Sequence, residues 1–78
     1  MAEKYFATVE YPKDKKPNNT ERSTLQHFAT LYCGRELPSS SNSRYIGFIF
    51  GEEQKAQDFG SIAQRLEKIV KVTVGKVR

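Results

Sequence analysis

Two side chains in this sequence, His27 and Cys33, are of a type that acts as nucleophile or base near neutral pH. They fall six positions apart on one expected helix, which turns them about 240° from each other around its axis. They therefore do not face one another. One thiol and one imidazole cannot make a cysteine-based zinc site. Cys33 reads as a small buried or half-buried residue, and His27 as an exposed one beside an apolar stripe. No serine sits in a Gly-x-Ser-x-Gly elbow, and there is no Walker loop or dinucleotide fingerprint. Glu52, Glu53 and Asp58 are ligand types for a hard cation. They lack the alternating spacing of a calcium loop, and a solvated first helical turn accounts for them. Asp58-Phe59-Gly60 spells the metal-binding tripeptide of kinases, but inside an amphipathic pattern and in a chain of 78 residues. Asn18-Asn19-Thr20 spells a glycosylation sequon. The expectation is a non-enzymatic protein with no catalytic residue, metal or cofactor.

Charge is more informative. The chain carries 13 Lys and Arg against 9 Asp and Glu, for a net charge of +4. Residues 61–78 hold Arg65, Lys68, Lys71, Lys76 and Arg78 against Glu67 alone, whereas 51–60 hold Lys55 against Glu52, Glu53 and Asp58. The loop 12–20, with two prolines and Lys13, Lys15 and Lys16, adds cations on a solvated segment.

The elements that must position these groups follow from periodicity. Residues 4–11 alternate, with Tyr5, Ala7, Val9 and Tyr11 on one side and Lys4, Phe6, Thr8 and Glu10 on the other; that is the period of a strand. A helix is expected over 21–33, from the stripe Leu25, Phe28, Ala29 and Tyr32. Ser23 with Gln26 fits its capping box, with Asn19 or Thr20 as alternatives, and Gly34 its left-handed C-cap. Arg35 to Leu37 suit a very short strand, and Pro38 to Ser43 a flexible polar turn whose serines are of a phosphorylatable type. Residues 44–50 are the clearest strand. Ile46, Phe48 and Phe50 share one face, and Tyr45, Gly47 and Ile49 the other. A second helix is expected over 52–68, with Arg65 and Lys68 in its last turn and the stripe Ala56, Phe59, Ile62, Ala63, Leu66 and Ile69. Gly60 within it suits a close approach of helix to sheet. Residues 69–77 return to strand, with Val70, Val72 and Val74 on one face and Gly75 as a bulge or fray.

The order is β-α-(β)-β-α-β in one domain spanning 1–78. It predicts an α+β two-layer sandwich of the ferredoxin-like, split βαβ plan. Two helices would cover one face of a three- or four-stranded, mainly antiparallel sheet. The other face is left for solvent or a partner. Lys4, Phe6, Tyr45, Ile49, Lys71 and Thr73 fall on that open face. Arg44, Arg65, Lys68 and Lys76 complete the candidate binding set.

Arg44-Tyr45-Ile46-Gly47-Phe48-Ile49-Phe50 distantly resembles the central motif of RNA-recognition-motif domains. Arg44, Gly47, Phe48 and Ile49 match in order. Tyr45 stands at the motif's glycine, Ile46 at its third-position aromatic, and Gly51 at its last aromatic. The resemblance implies base stacking on the sheet. Lys68-Ile69-Val70-Lys71-Val72 is similar to the end of small basic phycobilisome linker proteins, without their paired glycines. The passage from Tyr45 to Phe59 is similar to the end of pleckstrin-like domains. No residue role is carried over from either.

No apolar run reaches the ~20 residues of a membrane span. The opening Met1-Ala2-Glu3-Lys4 has no apolar stretch leading to a cleavage site, so no secretory signal is expected. The single cysteine points to a reducing compartment, and a cytoplasmic location is expected. A small domain without catalytic groups is expected to act by binding. The leading expectation is a protein-binding regulator, adaptor or inhibitor of the kind phages and mobile elements encode, acting through the open face on another protein or a ribonucleoprotein complex. The alternative is a single-stranded RNA or DNA module using the basic last strand and the sheet aromatics. Homodimerisation through the same face is a variant of the first.

Overall fold

The computed structural model describes residues 3–38, 44–66 and 68–77. The chain runs β1 (Lys4–Glu10), α1 (Asn19–Leu31), β2 (Arg35–Glu36), β3 (Tyr45–Phe50), α2 (Glu53–Gln64) and β4 (Lys71–Val77). The strands form one sheet in the order β2-β3-β1-β4, and every pair is antiparallel. β1 and β2 are thus parallel to each other with β3 inserted between them. This is the split βαβ of a ferredoxin-like α+β sandwich.

Alternation on the two long central strands decides which face is covered. Ala7, Val9, Ile46, Phe48 and Phe50 are buried, as is Tyr11 just past β1. They meet Leu25 and Ala29 of α1 and Ala56, Phe59 and Ala63 of α2. Phe59 is the hub: its ring centroid lies 4.8 Å from that of Phe48 and 5.2 Å from that of Phe50, distances at which tilted ring pairs attract. Gly60 lets α2 approach β4. A Cβ there would lie 3.0 Å from Val74 Cγ2 and 3.4 Å from Val72 Cγ1.

Several boundaries differ from the sequence expectation. α1 begins two residues earlier, because Asn18 and not Ser23 caps it. The Asn18 Oδ1 accepts from the Glu21 backbone N–H at 2.8 Å, and the Glu21 carboxylate accepts from the Asn18 N–H at 3.0 Å, a reciprocal box. At the other end the left-handed residue is Cys33, with φ 61°, and not Gly34. The Gly34 N–H reaches the Ala29 carbonyl and the Cys33 N–H that of Thr30, the double bond of a Schellman ending. This conformation turns Cys33 outward, so it is exposed rather than buried. Gly34 is needed for another reason: any side chain there would overlap the Phe50 ring.

α2 ends at Gln64, four residues short of expectation. The N–H groups of Arg65 and Leu66 bond to the Ile62 and Ala63 carbonyls, tightening the last turn. The chain thereby brings Leu66 and Ile69 onto the core and reaches β1 in time to pair at Lys71. Arg65 becomes the C-cap, and Lys68 lies beyond the helix. Val70 is exposed, not part of an inward row. β4 passes through Gly75 without bulge or fray, in unbroken register to Val77. The polar turn expected over Pro38–Ser43, beyond Pro38, falls on 39–43, outside the described residues, as do Glu67 and Arg78.

Candidate binding interface

The sheet's second face carries no helix. Its rows follow from register. Gly75, Phe6, Ile49 and Arg35 stand side by side across all four strands. Below them come Thr73, Thr8 and Gly47, with Leu37 laid over Gly47: its Cδ1 sits 3.4 Å from where a Cβ would be. Lys71, Glu10 and Tyr45 close one end, and Val77 beside Lys4 the other. The centre is apolar, from Phe6 through Ile49 to Leu37. The cations sit at its borders.

Those cations are not equivalent. Arg44 is engaged at the Tyr45 corner. Its guanidinium lies 4.9 Å from the Tyr45 ring centroid, donates to the Tyr45 hydroxyl at 2.8 Å, and stands 3.9 Å from the Glu10 carboxylate. Lys4, Arg35 and Lys71 have no ion-pair partner among the described residues. Lys4 and Arg35 line one shallow pocket together with Ile49 and Gly51, so two uncompensated charges converge beside the apolar row.

The remaining members of the predicted set lie elsewhere. Lys76 has the parity of the helix-covered face and donates to Glu3 at 2.8 Å. That bond holds the Glu3 carboxyl below the usual carboxylate range and pushes the Lys76 ammonium up. Lys68 stands 3.6 Å from Glu21 of α1, in the helical layer. Arg65 is exposed at the end of α2. The basic C-terminal segment is therefore not one patch: alternation and the turn after α2 divide it between two faces. Lys4, Phe6, Tyr45, Ile49 and Lys71 are brought together as expected, with Arg44 at their corner. Arg35, Leu37 and Val77 join them unpredicted. For Arg35 the reason is that a two-residue strand has too short a period to declare its face, and only its pairing with β3 shows it.

The RNA motif's third and fifth positions do not lie on the open face. Ile46 and Phe48 are fully buried in the core, Phe48 against Phe59 of α2. The aromatic that would stack on a base faces the core, because the hydrophobic alternation of β3 is in the opposite phase.

Of the groups of potential chemistry, Cys33 shares the shallow pocket with Lys4, Arg35 and Ile49, while His27 and Asp58 belong to the helical layer. His27 is exposed on α1, its ring 6.3 Å from that of Phe28. Cys33 Sγ accepts from Lys55 Nζ at 3.7 Å, and Lys55 also pairs with Glu52 at 3.1 Å. Asp58 accepts from Gln54 within α2. Among the described residues no group of three or more His, Cys, Asp or Glu is placed to hold a metal ion, and no helix is long and apolar enough to cross a membrane. No protein-family model matches the sequence, and a search of curated proteins likewise gave no match.

Proposed function

We propose that the chain is a non-catalytic protein-binding module, a regulator, adaptor or inhibitor that lays its open sheet face on an acidic partner surface with an apolar centre. One observation carries this reading: at the margin of the apolar Phe6–Ile49 row stand Lys4 and Arg35, neither in an ion pair among the described residues. An apolar core with a polar rim is the anatomy of a protein interface, and unpaired cations steer an acidic partner onto it. The same charges work against a second copy, whose identical face is also positive.

A second reading, single-stranded nucleic acid, draws on the Arg44–Tyr45 stack and the Phe6 ring. It is the weaker one, because Arg44 already occupies Tyr45 and the cross-strand neighbours of Phe6 are Ile49 and Gly75, neither of them aromatic or charged. Fluorescence anisotropy of labelled single-stranded RNA and DNA, at about 50 and 200 mM salt, separates the two. The proposal expects no micromolar binding at either salt. Tight binding that collapses with salt would put nucleic acid in its place.

A further inference from the structure

Away from the open face, a pocket of about 190 Å³ lies between the start of α1 and the connection from α2 to β4, lined by Tyr11, Thr20, Glu21, Thr24, Leu66 and Lys68. Tyr11 is only 1% exposed. Its hydroxyl has no hydrogen-bond partner among the described residues. Yet none of their buried side-chain oxygens or nitrogens lacks a partner. The phenol oxygen is therefore the part of Tyr11 that reaches solvent, and it does so in this pocket. Burial pushes its pKa up to about 12, so near neutral pH the group is a proton donor awaiting an acceptor.

We propose that the pocket binds a small organic carboxylate, its apolar body against Leu66 and the Tyr11 ring and its carboxylate on the Tyr11 hydroxyl and Lys68. The other features of the site agree. Lys68 stands 3.6 Å from Glu21 and its ammonium has room for a second carboxylate. The positive end of the α1 dipole opens at the same place, Thr20 and Glu21 being in its first turn. Thr24 already donates its hydroxyl to the Thr20 carbonyl at 2.9 Å, so it is not counted among the donors to the anion. The volume suits a single ring with its carboxylate. Among the described lining residues Glu21 is the opposing charge. Its carboxylate is committed to Lys68 and to the Asn18 N–H, and it sets the affinity rather than forbidding the anion.

The test is a titration of the isotope-labelled protein with sodium benzoate, read by amide chemical shifts near neutral pH. The expected result is saturable shifts confined to Tyr11, Thr20, Glu21, Thr24, Leu66, Lys68 and their immediate chain neighbours. Tyr11→Phe weakens binding about fivefold, the loss of one hydrogen bond. Glu21→Gln keeps the capping box, frees Lys68 and tightens binding. Benzyl alcohol, the neutral ring of the same size, gives no saturable shift. Dispersed amide spectra of both variants show that they fold. The proposal is overturned if benzoate shifts do not saturate, if benzyl alcohol binds as tightly, or if Tyr11→Phe binds benzoate as well as the parent does.

Discussion

The Phe6 ring of β1 lies across Gly75 of β4, so close that a methyl group at position 75 would stand 2.6 Å from Cζ and 2.8 Å from Cε1. The glycine gives the ring a bed, and an aromatic over a strand glycine is a known way to stabilise a weak ladder position. Gly75→Ala forces Phe6 off the sheet. Because the ring is only half-buried it can swing outward, so the stability loss expected is about 1 kcal/mol, the low end of overpacking. Binding through the open face suffers more than folding does. Denaturant unfolding measures the first effect, and the NMR shifts of Ile49, its cross-strand neighbour, report the ring's displacement.

Cys33 and Gly34 exchange the roles that their residue types suggest, and mutation separates them. Cys33→Gly relieves a left-handed conformation at φ 61° and is expected to stabilise the protein by about 0.5–1 kcal/mol. Gly34→Ala drives a methyl into Phe50, which packs on Phe59 and cannot yield. A loss of about 2–3 kcal/mol is expected there. Thermal melts of the two variants should move in opposite directions.

The start of α1 rests on Asn18. Asn18→Ala is expected to cost about 1 kcal/mol, because the Glu21 N–H loses its acceptor. Ser23→Ala lies on the exposed surface of the helix and is expected to be neutral or slightly stabilising, alanine being the better helix former. Equal losses for both would contradict the observed cap.

Tyr11 sets an alkaline limit. Burial favours its neutral form in the folded state, pushing its pKa up to about 12, against about 10 in an unfolded chain. A group whose folded pKa is raised contributes stability fully below the unfolded value and loses it as pH rises through the folded one. Folding stability is therefore expected to fall between about pH 10 and 12. Tyr11→Phe removes that part of the decline. Chemical denaturation of both proteins at several alkaline pH values measures the difference.

The fold was legible because it depends on long, well-phased segments. Tyr5, Ala7 and Val9 alternate over a whole strand, and Ala56, Phe59 and Ala63 share one helix face. Two such strands and two stripes leave few ways to bury them. What was not legible depends on single contacts. Asn18 is one of several capping types in Asn18-Asn19-Thr20, and only its bond to Glu21 distinguishes it. Arg35 acquires a face only by pairing opposite Ile49. The basic run Lys68, Lys71 and Lys76 reads as one patch along the chain. In space, Glu21 and Glu3 neutralise two of its members and leave Lys71 on the sheet.

The open sheet face is proposed to meet an acidic protein surface. Photo-crosslinking in cells of the source organism tests it most directly, with a photoreactive phenylalanine analogue at Ile49 in one protein and at His27, on the helical layer, in another. The account predicts a nuclease-resistant, protease-sensitive adduct with an acidic protein from position 49 only, lost when Lys4→Glu and Arg35→Glu are added. Equal adducts from both positions, an adduct that nuclease removes, or a crosslink only to a second copy of this chain would contradict it.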